Sequence, residues 1–157
     1  MVNYRLRVGI ETEPPSSGGL TTTILRGGTA GVQPFSFGQA FVQGDLANTA
    51  TLSGAQLNVL TSWPDNTVKT GIVSGYATIS TGIDRTVALV SGTAPTGSDV
   101  STSVLTAVTA SHDCGVLGSV SWGTSDWSTP HVTVATGPIM SSWLFRKTVG
   151  ADTHLVA

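Results

Sequence analysis

The residues with the most reactive side chains stand together in one short stretch, Ser111-His112-Asp113-Cys114-Gly115. A thiol beside an imidazole and a carboxylate is the set of groups from which an activated cysteine nucleophile is built. Catalytic groups of this kind are normally distant in sequence and adjacent only in space, so consecutive residues seldom point at one another. The stretch therefore favours a turn followed by a strand, in which Cys114 begins the strand as a buried, unreactive side chain.

No other combination of residues has the spacing of a catalytic or metal-binding motif. The chain lacks a phosphate-binding loop, a dinucleotide fingerprint and the His-Glu-x-x-His pattern, and residues 118–123 miss the Gly-x-Ser-x-Gly spacing. A single cysteine excludes a disulfide framework, and the three histidines are isolated at spacings that match no zinc site. The nine carboxylates lie mostly in predicted turns, and their spacing selects no acid–base pair. We therefore predict no catalytic residue, no metal, no cofactor and no enzymatic activity.

Two tryptophans and an aspartate occupy a segment rich in serine, threonine and glycine, residues 122–130. Exposed tryptophans in such a segment could stack on a sugar ring or anchor a protein interface. The alternative is that both rings fold back over one end of the core. The sequence thus offers Trp122, Asp126 and Trp127 as a candidate contact site for a glycan or a protein, whereas Trp63 and Trp143 stand beside predicted strands and are expected in the core.

The composition restricts the classes of partner. Only 10% of the 157 residues are charged and the net charge is −2, whereas globular chains usually carry about 25% charged residues. A nucleic-acid-binding surface and a polybasic membrane-binding segment both need clustered positive charge, and a helix that spans a bilayer needs about 18–20 consecutive apolar residues. The sequence has none of these. We expect no nucleic-acid or membrane partner, and a weakly charged surface that suits an assembly in which neighbours cover much of it.

Short apolar runs separated by glycine, proline and aspartate predict an all-β chain. Turn signals every 8–12 residues are typical of a β-barrel or a β-sandwich, here a single domain over residues 1–157. Apolar residues at helical spacing over residues 100–108 predict one short helix near residues 100–110. About ten short strands are predicted, at residues 4–8, 21–25, 35–41, 56–61, 68–79 (one or two strands, interrupted at Gly71 and Gly75), 86–90, 116–122, 131–136, 140–146 and 153–157.

Two stretches resemble a known group of proteins. Residues 34–41 read Pro-Phe-Ser-Phe-Gly-Gln-Ala-Phe and precede Gly44-Asp45-Leu46, which is similar to a stretch near the start of many tailed-phage virion proteins. Residues 62–69, Ser-Trp-Pro-Asp-Asn-Thr-Val-Lys, resemble the turn that follows it, and residues 136–143 and 149–156 match what comes next. Residues 34–46 and 62–69, in this order, also resemble the N-terminal β-domain, a RIFT-type barrel, of exo-acting rhamnogalacturonan-lyase-like proteins. The chain departs from the pattern at Asn66, where the family usually has glycine, and at Thr70, where many members have histidine or tryptophan.

The residues of these stretches themselves indicate a structural role. Phe35, Phe37 and Phe41 alternate along one strand, so their rings share one face and can begin a core. Burying each ring contributes roughly 1.5–3 kcal/mol. In the segment that follows, proline fixes φ, and Asp65 and Asn66 tolerate the geometry of a hairpin turn.

The resemblance implies a non-enzymatic structural protein of a bacteriophage virion, either a capsid decoration on the head or a tail component. It would be made in the cytoplasm of the bacterial host and reside in the virion, with other virion subunits as partners, in a homo-oligomer or another symmetric assembly. The alternative is a carbohydrate-binding β-domain, the accessory N-terminal part of a polysaccharide lyase, whose catalytic region lies beyond this domain. A self-contained hydrolase or lyase ranks below both. The apolar last strand predicts either a longer protein or an assembly that covers its edge.

Overall fold

The protein is all-β, as predicted. The structure, a computed structural model, describes residues 2–4, 19–27 and 29–156; half of the chain is in strands, and this part contains no helix of seven or more residues. The strands are β1 (Val2–Tyr4), β2 (Gly19–Gly27), β3 (Gly31–Ala40), β4 (Ala55–Ser62), β5 (Val68–Ile79), β6 (Asp84–Val90), β7 (Ala110–Asp113), β8 (Ser119–Trp122), β9 (Val132–Ala135), β10 (Ser142–Val149) and β11 (Asp152–Val156). The 3₁₀ helices are η1 (Thr102–Leu105), η2 (Gly115–Leu117) and η3 (Thr124–Ser128).

The chain divides into two compact units, Met1–Thr96 and Gly97–Ala157. Each unit has small antiparallel sheets and a buried apolar cluster of its own. The interpretation of residues 1–157 as a single β-rich domain stays a prediction. The predicted strand at residues 4–8 lies outside the described residues except for Tyr4, where β1 ends.

The first unit contains two three-stranded sheets, with strand orders β1-β2-β6 and β3-β5-β4. The alternation of Phe35, Phe37 and Phe41 places these rings in or against one core, as predicted, and the first two rings stack with centroids 5.8 Å apart. The core residues of this unit are Leu25, Phe35, Phe41, Leu46, Leu52, Ala55, Val68, Val73, Ile79 and Leu89.

Both outer strands of the β3-β5-β4 sheet carry features that hinder pairing with another strand. The Phe41 N–H donates to the carbonyl of Lys69 (3.0 Å), and the register between β3 and β5 has no shift. Because hydrogen-bonded positions alternate in an antiparallel pair, the even-numbered residues of β3 direct their backbone groups away from β5. Pro34 occupies one of these outward positions and has no N–H to offer. On β4, the register shifts at Leu60, and such a bulge also interrupts an edge.

The two stretches that carry the family resemblance contact each other. The indole Nε1–H of Trp63 donates to the carbonyl of Phe41 (3.1 Å), and the ammonium of Lys69 lies 4.7 Å from the centroid of the Trp63 ring. The Val68 N–H donates to the carbonyl of Leu46 (2.7 Å). These residues therefore hold the end of β3 against the turn that leads into β5, which is a structural role.

The predicted turn at residues 64–67 is present, and its conformation suits an asparagine at position 66. Asn66 has φ of 63°, in the left-handed region that glycine and asparagine tolerate best. The Asp65 carboxylate accepts hydrogen bonds from the backbone N–H (3.1 Å) and the hydroxyl (2.6 Å) of Thr67. The Asn66 side-chain oxygen accepts a hydrogen bond from Asn48 Nδ2 (2.8 Å), so the asparagine also ties the turn to the preceding loop.

Replacing Asn66 with alanine is expected to destabilise the protein by about 1–2 kcal/mol, whereas glycine should be nearly neutral. Alanine has a Cβ that strains the left-handed backbone and no side-chain oxygen for Asn48. Glycine loses the same hydrogen bond but adopts this φ freely. Urea unfolding of the two variants measures the difference between their free energies of unfolding. Equal destabilisation by alanine and by glycine would contradict the inference that the left-handed backbone at this position disfavours alanine.

The second unit contains the β7–β8 hairpin and a sheet with the order β11-β10-β9. Its buried cluster comprises Val120, Trp122, Trp127 and Phe145, against which Trp143 and Cys114 pack from partly buried positions. The predicted strands at residues 131–136, 140–146 and 153–157 correspond to β9, β10 and β11. Trp143 on β10 thus contacts a core, as expected.

The short helix predicted near residues 100–110 is present as the 3₁₀ helix η1, whereas three other sequence-based expectations for this unit are corrected. Residues 111–113, expected in a turn, belong to strand β7. The predicted strand at residues 116–122 begins only at Ser119. The reason is a tight connection in which the Cys114 N–H donates to the carbonyl of Gly118 (2.8 Å), while Gly115 and Gly118 adopt positive φ. Cys114 is half-buried and follows a strand, not fully buried at the start of one.

Candidate functional site

The three residues that the sequence offered as a contact site lie close together at the end of β8 and in η3. Trp122 is the last residue of β8, and Asp126 and Trp127 belong to η3. Both indole rings are buried, with 3% and 4% of their surface exposed. Both rings therefore fold over the core, which was the alternative to an exposed contact site. Contact of this site with a glycan or a protein stays a prediction, and the buried rings present no free face for stacking.

Trp127 is fixed by two contacts inside the second unit. Its ring meets the Phe145 ring edge to face, with centroids 4.8 Å apart and an interplanar angle of 76°. Its Nε1–H donates to the carbonyl of Val108 (2.8 Å), so the polar end of the buried side chain is satisfied. Trp127 is thus a core residue that joins η3 to β10 and to the segment before β7.

Asp126 closes the turn that begins η3 and links it to β10. Its Oδ2 atom accepts hydrogen bonds from the backbone N–H of Gly123 (2.8 Å) and from Nζ of Lys147 (2.9 Å). The same ammonium donates to the carbonyl of Ser121 (2.6 Å), so Lys147 connects β10 with β8 as well. The pKa of Asp126 is lowered, mainly by the hydrogen bond from the Gly123 N–H and next by the hydrogen bond from Lys147, whose charge adds to the effect. Desolvation of the carboxylate acts in the opposite direction but does not cancel the shift. The carboxylate is therefore ionised at neutral pH.

Replacing Asp126 with asparagine is expected to lower the melting temperature at neutral pH and to have less effect in acid. Because the native-state pKa lies below that of an unfolded aspartate, the ionised carboxylate stabilises the fold above about pH 4. This contribution is lost as the pH falls through the native pKa. Thermal unfolding of both proteins at pH 7 and at about pH 2.5 tests the expectation, and an effect of equal size at both pH values would contradict it.

Asp126 and Trp122 also line a surface depression at the open end of the β7–β8 hairpin. The depression has a volume of about 560 Å³, and its other lining residues are Thr109, Ala110, Ser111, Ser121 and Gly123. Ser111 and Ser121 face each other across the hairpin. Three of the lining residues carry hydroxyl groups and one carries a carboxylate. Because side chains alternate along a strand, Ser111 and Ser121 lie on the face of the hairpin opposite to Trp122.

The Trp122 indole is unusual because its buried Nε1–H has no hydrogen-bond acceptor. Trp63 and Trp127 both donate their indole N–H to backbone carbonyls. A buried donor without an acceptor costs about 1–3 kcal/mol, so such groups are rare and call for an explanation. The unpaired donor belongs to a residue that lines the depression.

The stretch of reactive residues at 111–114 comprises the end of strand β7 and the first residue of the connection to β8. The Asp113 carboxylate accepts a hydrogen bond from the backbone N–H of Gly115 (2.9 Å), which stabilises the connection to β8. The Cys114 sulfur lies 3.7 Å from the carbonyl oxygen of His112. Among the residues in the described ranges, no group of three or more His, Cys, Asp or Glu side chains could hold a metal ion. Within the same ranges, no helix is long and apolar enough to cross a membrane.

The sequence did not connect three of the residues around this site, Lys147, Ser111 and Ser121, with Trp122 and Asp126. Lys147 lies just beyond a predicted strand, 21 residues from its partner Asp126, and no linear pattern connects the two. Ser111 and Ser121 are exposed hydroxyl residues in a chain rich in them, so only the pairing of β7 with β8 distinguishes them.

Comparisons with models of protein families, with curated proteins and with solved structures gave no match to this chain. The similarity to tailed-phage virion proteins and to the RIFT-type barrel therefore stays a hypothesis.

Proposed function

We propose that this chain is a non-enzymatic structural protein of a bacteriophage virion that acts through protein–protein contacts, as a head decoration or a tail component. The observation that carries the proposal is an exposed apolar patch beside a protected sheet edge. Val32 and Tyr76 are 66% and 58% exposed, and Pro34, directly opposite Tyr76, is exposed on the same face of the β3–β5 pair. Contiguous exposed apolar side chains are typical of interaction surfaces.

The protected edges favour contact through the faces of the sheets. Pro34 interrupts the outward backbone groups of β3, and the bulge at Leu60 interrupts β4. A partner strand cannot extend along either edge without leaving groups unpaired. A partner that contacts the apolar patch of Val32, Pro34 and Tyr76 meets side chains on a face of the sheet and leaves no backbone group of these edges unpaired.

The second unit offers a smaller surface of the same kind. Val132 and Val134 alternate along β9 and are 44% and 45% exposed. Leu144 lies opposite Val132 on β10 and is half-buried. Interface centres are depleted in charged residues, and the 10% charged content of the chain fits this requirement. Other virion subunits, including further copies of this chain in a symmetric assembly, are the partners that the proposal names.

Mass spectrometry of purified phage particles tests the proposal directly. Peptides of this chain should be present at many copies per particle after purification away from host lysate. Detection of the chain in the lysate alone would overturn the proposal.

A pair of variants tests the proposed surface. Replacing Val32 and Tyr76 together with serine should reduce incorporation into particles by at least about tenfold, the loss that 1.4 kcal/mol of contact energy produces. Val42→Ser is the matched control, because Val42 is 69% exposed in the same unit but lies outside the patch. Normal incorporation of the double variant would contradict the assignment of this patch.

A further inference from the structure

Strand β11 lies at one edge of the sheet of the second unit, and its outer side lacks the features that interrupt the other edges. The described sheet has the order β11-β10-β9, so none of the described strands pairs with the outer side of β11. Its register with β10 has no shift, and β11 contains no proline, glycine or lysine. At the opposite edge of the same sheet, β9 has a bulge at Val134. The outer side of β11 is therefore open to another strand.

The hydrogen-bonding pattern identifies the backbone groups that point outward from β11. The His131 N–H donates to the carbonyl of Leu144 (2.8 Å), so Leu144 directs its backbone groups towards β9. Because this direction alternates along an antiparallel strand, the odd-numbered residues of β10 bond β11. Their partners on β11 are its even-numbered residues. Thr153 and Leu155 therefore direct two N–H groups and two carbonyl groups away from β10.

A second copy of β11 matches these groups when the two strands run antiparallel. With position 154 of one copy opposite position 154 of the other, Thr153 lies opposite Leu155 of the second copy, and the reverse pair is equivalent. Each of the two pairs exchanges two backbone hydrogen bonds, so every outward group is satisfied. The two copies are then related by a two-fold axis, the commonest symmetry of homo-oligomers. In this register Asp152 lies opposite Val156, so no carboxylate is placed opposite another carboxylate.

We propose that β11 pairs with β11 of a second copy of this chain and joins their two sheets into one continuous antiparallel sheet. The inference rests on the proposed function, which names further copies of the chain as partners, and it specifies one contact between them. The paired segment is short, so two isolated copies should associate weakly, with a dissociation constant of about 0.1–1 mM. An assembly that holds many copies together raises their effective concentration and favours the pairing.

Disulfide trapping of the purified full-length protein tests the register. Cys114, the single cysteine of the chain, is first replaced with serine. His154→Cys then places two cysteines opposite each other at a non-hydrogen-bonded position, where Cα atoms lie about 4.5 Å apart and a disulfide can form. Asp152→Cys is the matched control on the same face of β11, because its two copies stand four residues apart along the strands, roughly 13 Å. Oxidation at about pH 8 and about 0.5 mM protein should yield covalent dimer at least about tenfold faster with His154→Cys.

A proline variant tests the backbone hydrogen bonds. Leu155→Pro removes an outward N–H and no hydrogen bond to β10, because Leu155 lies opposite Arg146 at a non-hydrogen-bonded position. Added to the His154→Cys protein, Leu155→Pro should slow cross-linking at least about tenfold, whereas Leu155→Ala, which keeps the N–H, should change the rate less than about twofold.

Equal cross-linking rates for His154→Cys and Asp152→Cys would overturn the inference, even if Leu155→Pro disturbed the hairpin. An unchanged rate with Leu155→Pro would overturn it as well. Neither result depends on finding the chain in phage particles, so a failure of this contact is distinguishable from a failure of the proposed function.

Discussion

Replacing Trp127 with alanine is expected to reduce the free energy of unfolding of the second unit by roughly 3–5 kcal/mol. The side chain is 4% exposed and meets the Phe145 ring at 4.8 Å. It is one of four buried residues in the described cluster of this unit, so its removal leaves a cavity that the few remaining side chains cannot fill. Urea unfolding followed through amide signals of Gly97–Ala157 measures the loss, and a change below about 1 kcal/mol would contradict the assignment of Trp127 to the core.

A matched pair of phenylalanine variants separates packing from hydrogen bonding. Trp127→Phe loses the hydrogen bond to Val108, whereas Trp122→Phe loses an N–H that has no acceptor. The two indoles are nearly equally buried, so the lost packing is similar. Trp127→Phe should therefore be the more destabilising variant by about 1 kcal/mol, the net value of one hydrogen bond. Equal destabilisation by the two variants would mean that the hydrogen bond to Val108 contributes little to the stability of the fold.

The strands of the first unit were predictable because their sequence combines alternation with clear turn residues. One or two strands were predicted over residues 68–79, with interruptions at Gly71 and Gly75, and the structure has the single strand β5 over these residues. Pro64-Asp65-Asn66 marks the turn before it. The strand at residues 35–41 was recognised from its aromatic alternation, although β3 begins earlier, at Gly31. In this unit, the apolar periodicity and the turn residues predict the same positions for strands and turns, and such agreement makes a prediction reliable.

The second unit was less predictable because its strands are short and exposed. β7 reads Ala-Ser-His-Asp, with three exposed side chains, so it has no apolar alternation and resembles a turn. The apolar spacing at residues 100–108 indicates a helix, but these residues include β-branched side chains that disfavour one, and only the 3₁₀ helix η1 forms. Tertiary contacts decide the structure in such segments.

The candidate site could be located from the sequence only in part. Trp122, Asp126 and Trp127 do lie together, because they are neighbours in the chain. The burial of both rings and the ion pair with Lys147 depend on residues that come from other strands. Such contacts leave no linear pattern, so the sequence identified the segment but not its chemistry.

Replacing Gly75 with alanine is expected to destabilise the first unit by about 2–3 kcal/mol, as overpacking of a core does. Gly75 lies opposite Phe35 on β3, and an added Cβ would stand 2.6 Å from the end of the Phe35 ring. The ring is 5% exposed and stacks on Phe37, so it cannot move aside without disturbing the core that the aromatic strand forms. Gly38→Ala is the matched control, since it changes a glycine of β3 where an added Cβ meets nothing within 4 Å. Urea unfolding should show little change or a small gain for Gly38→Ala, because alanine restricts the unfolded chain more than glycine does. If both variants had the same stability, close packing of Phe35 against the backbone of β5 would not be what requires glycine at this position.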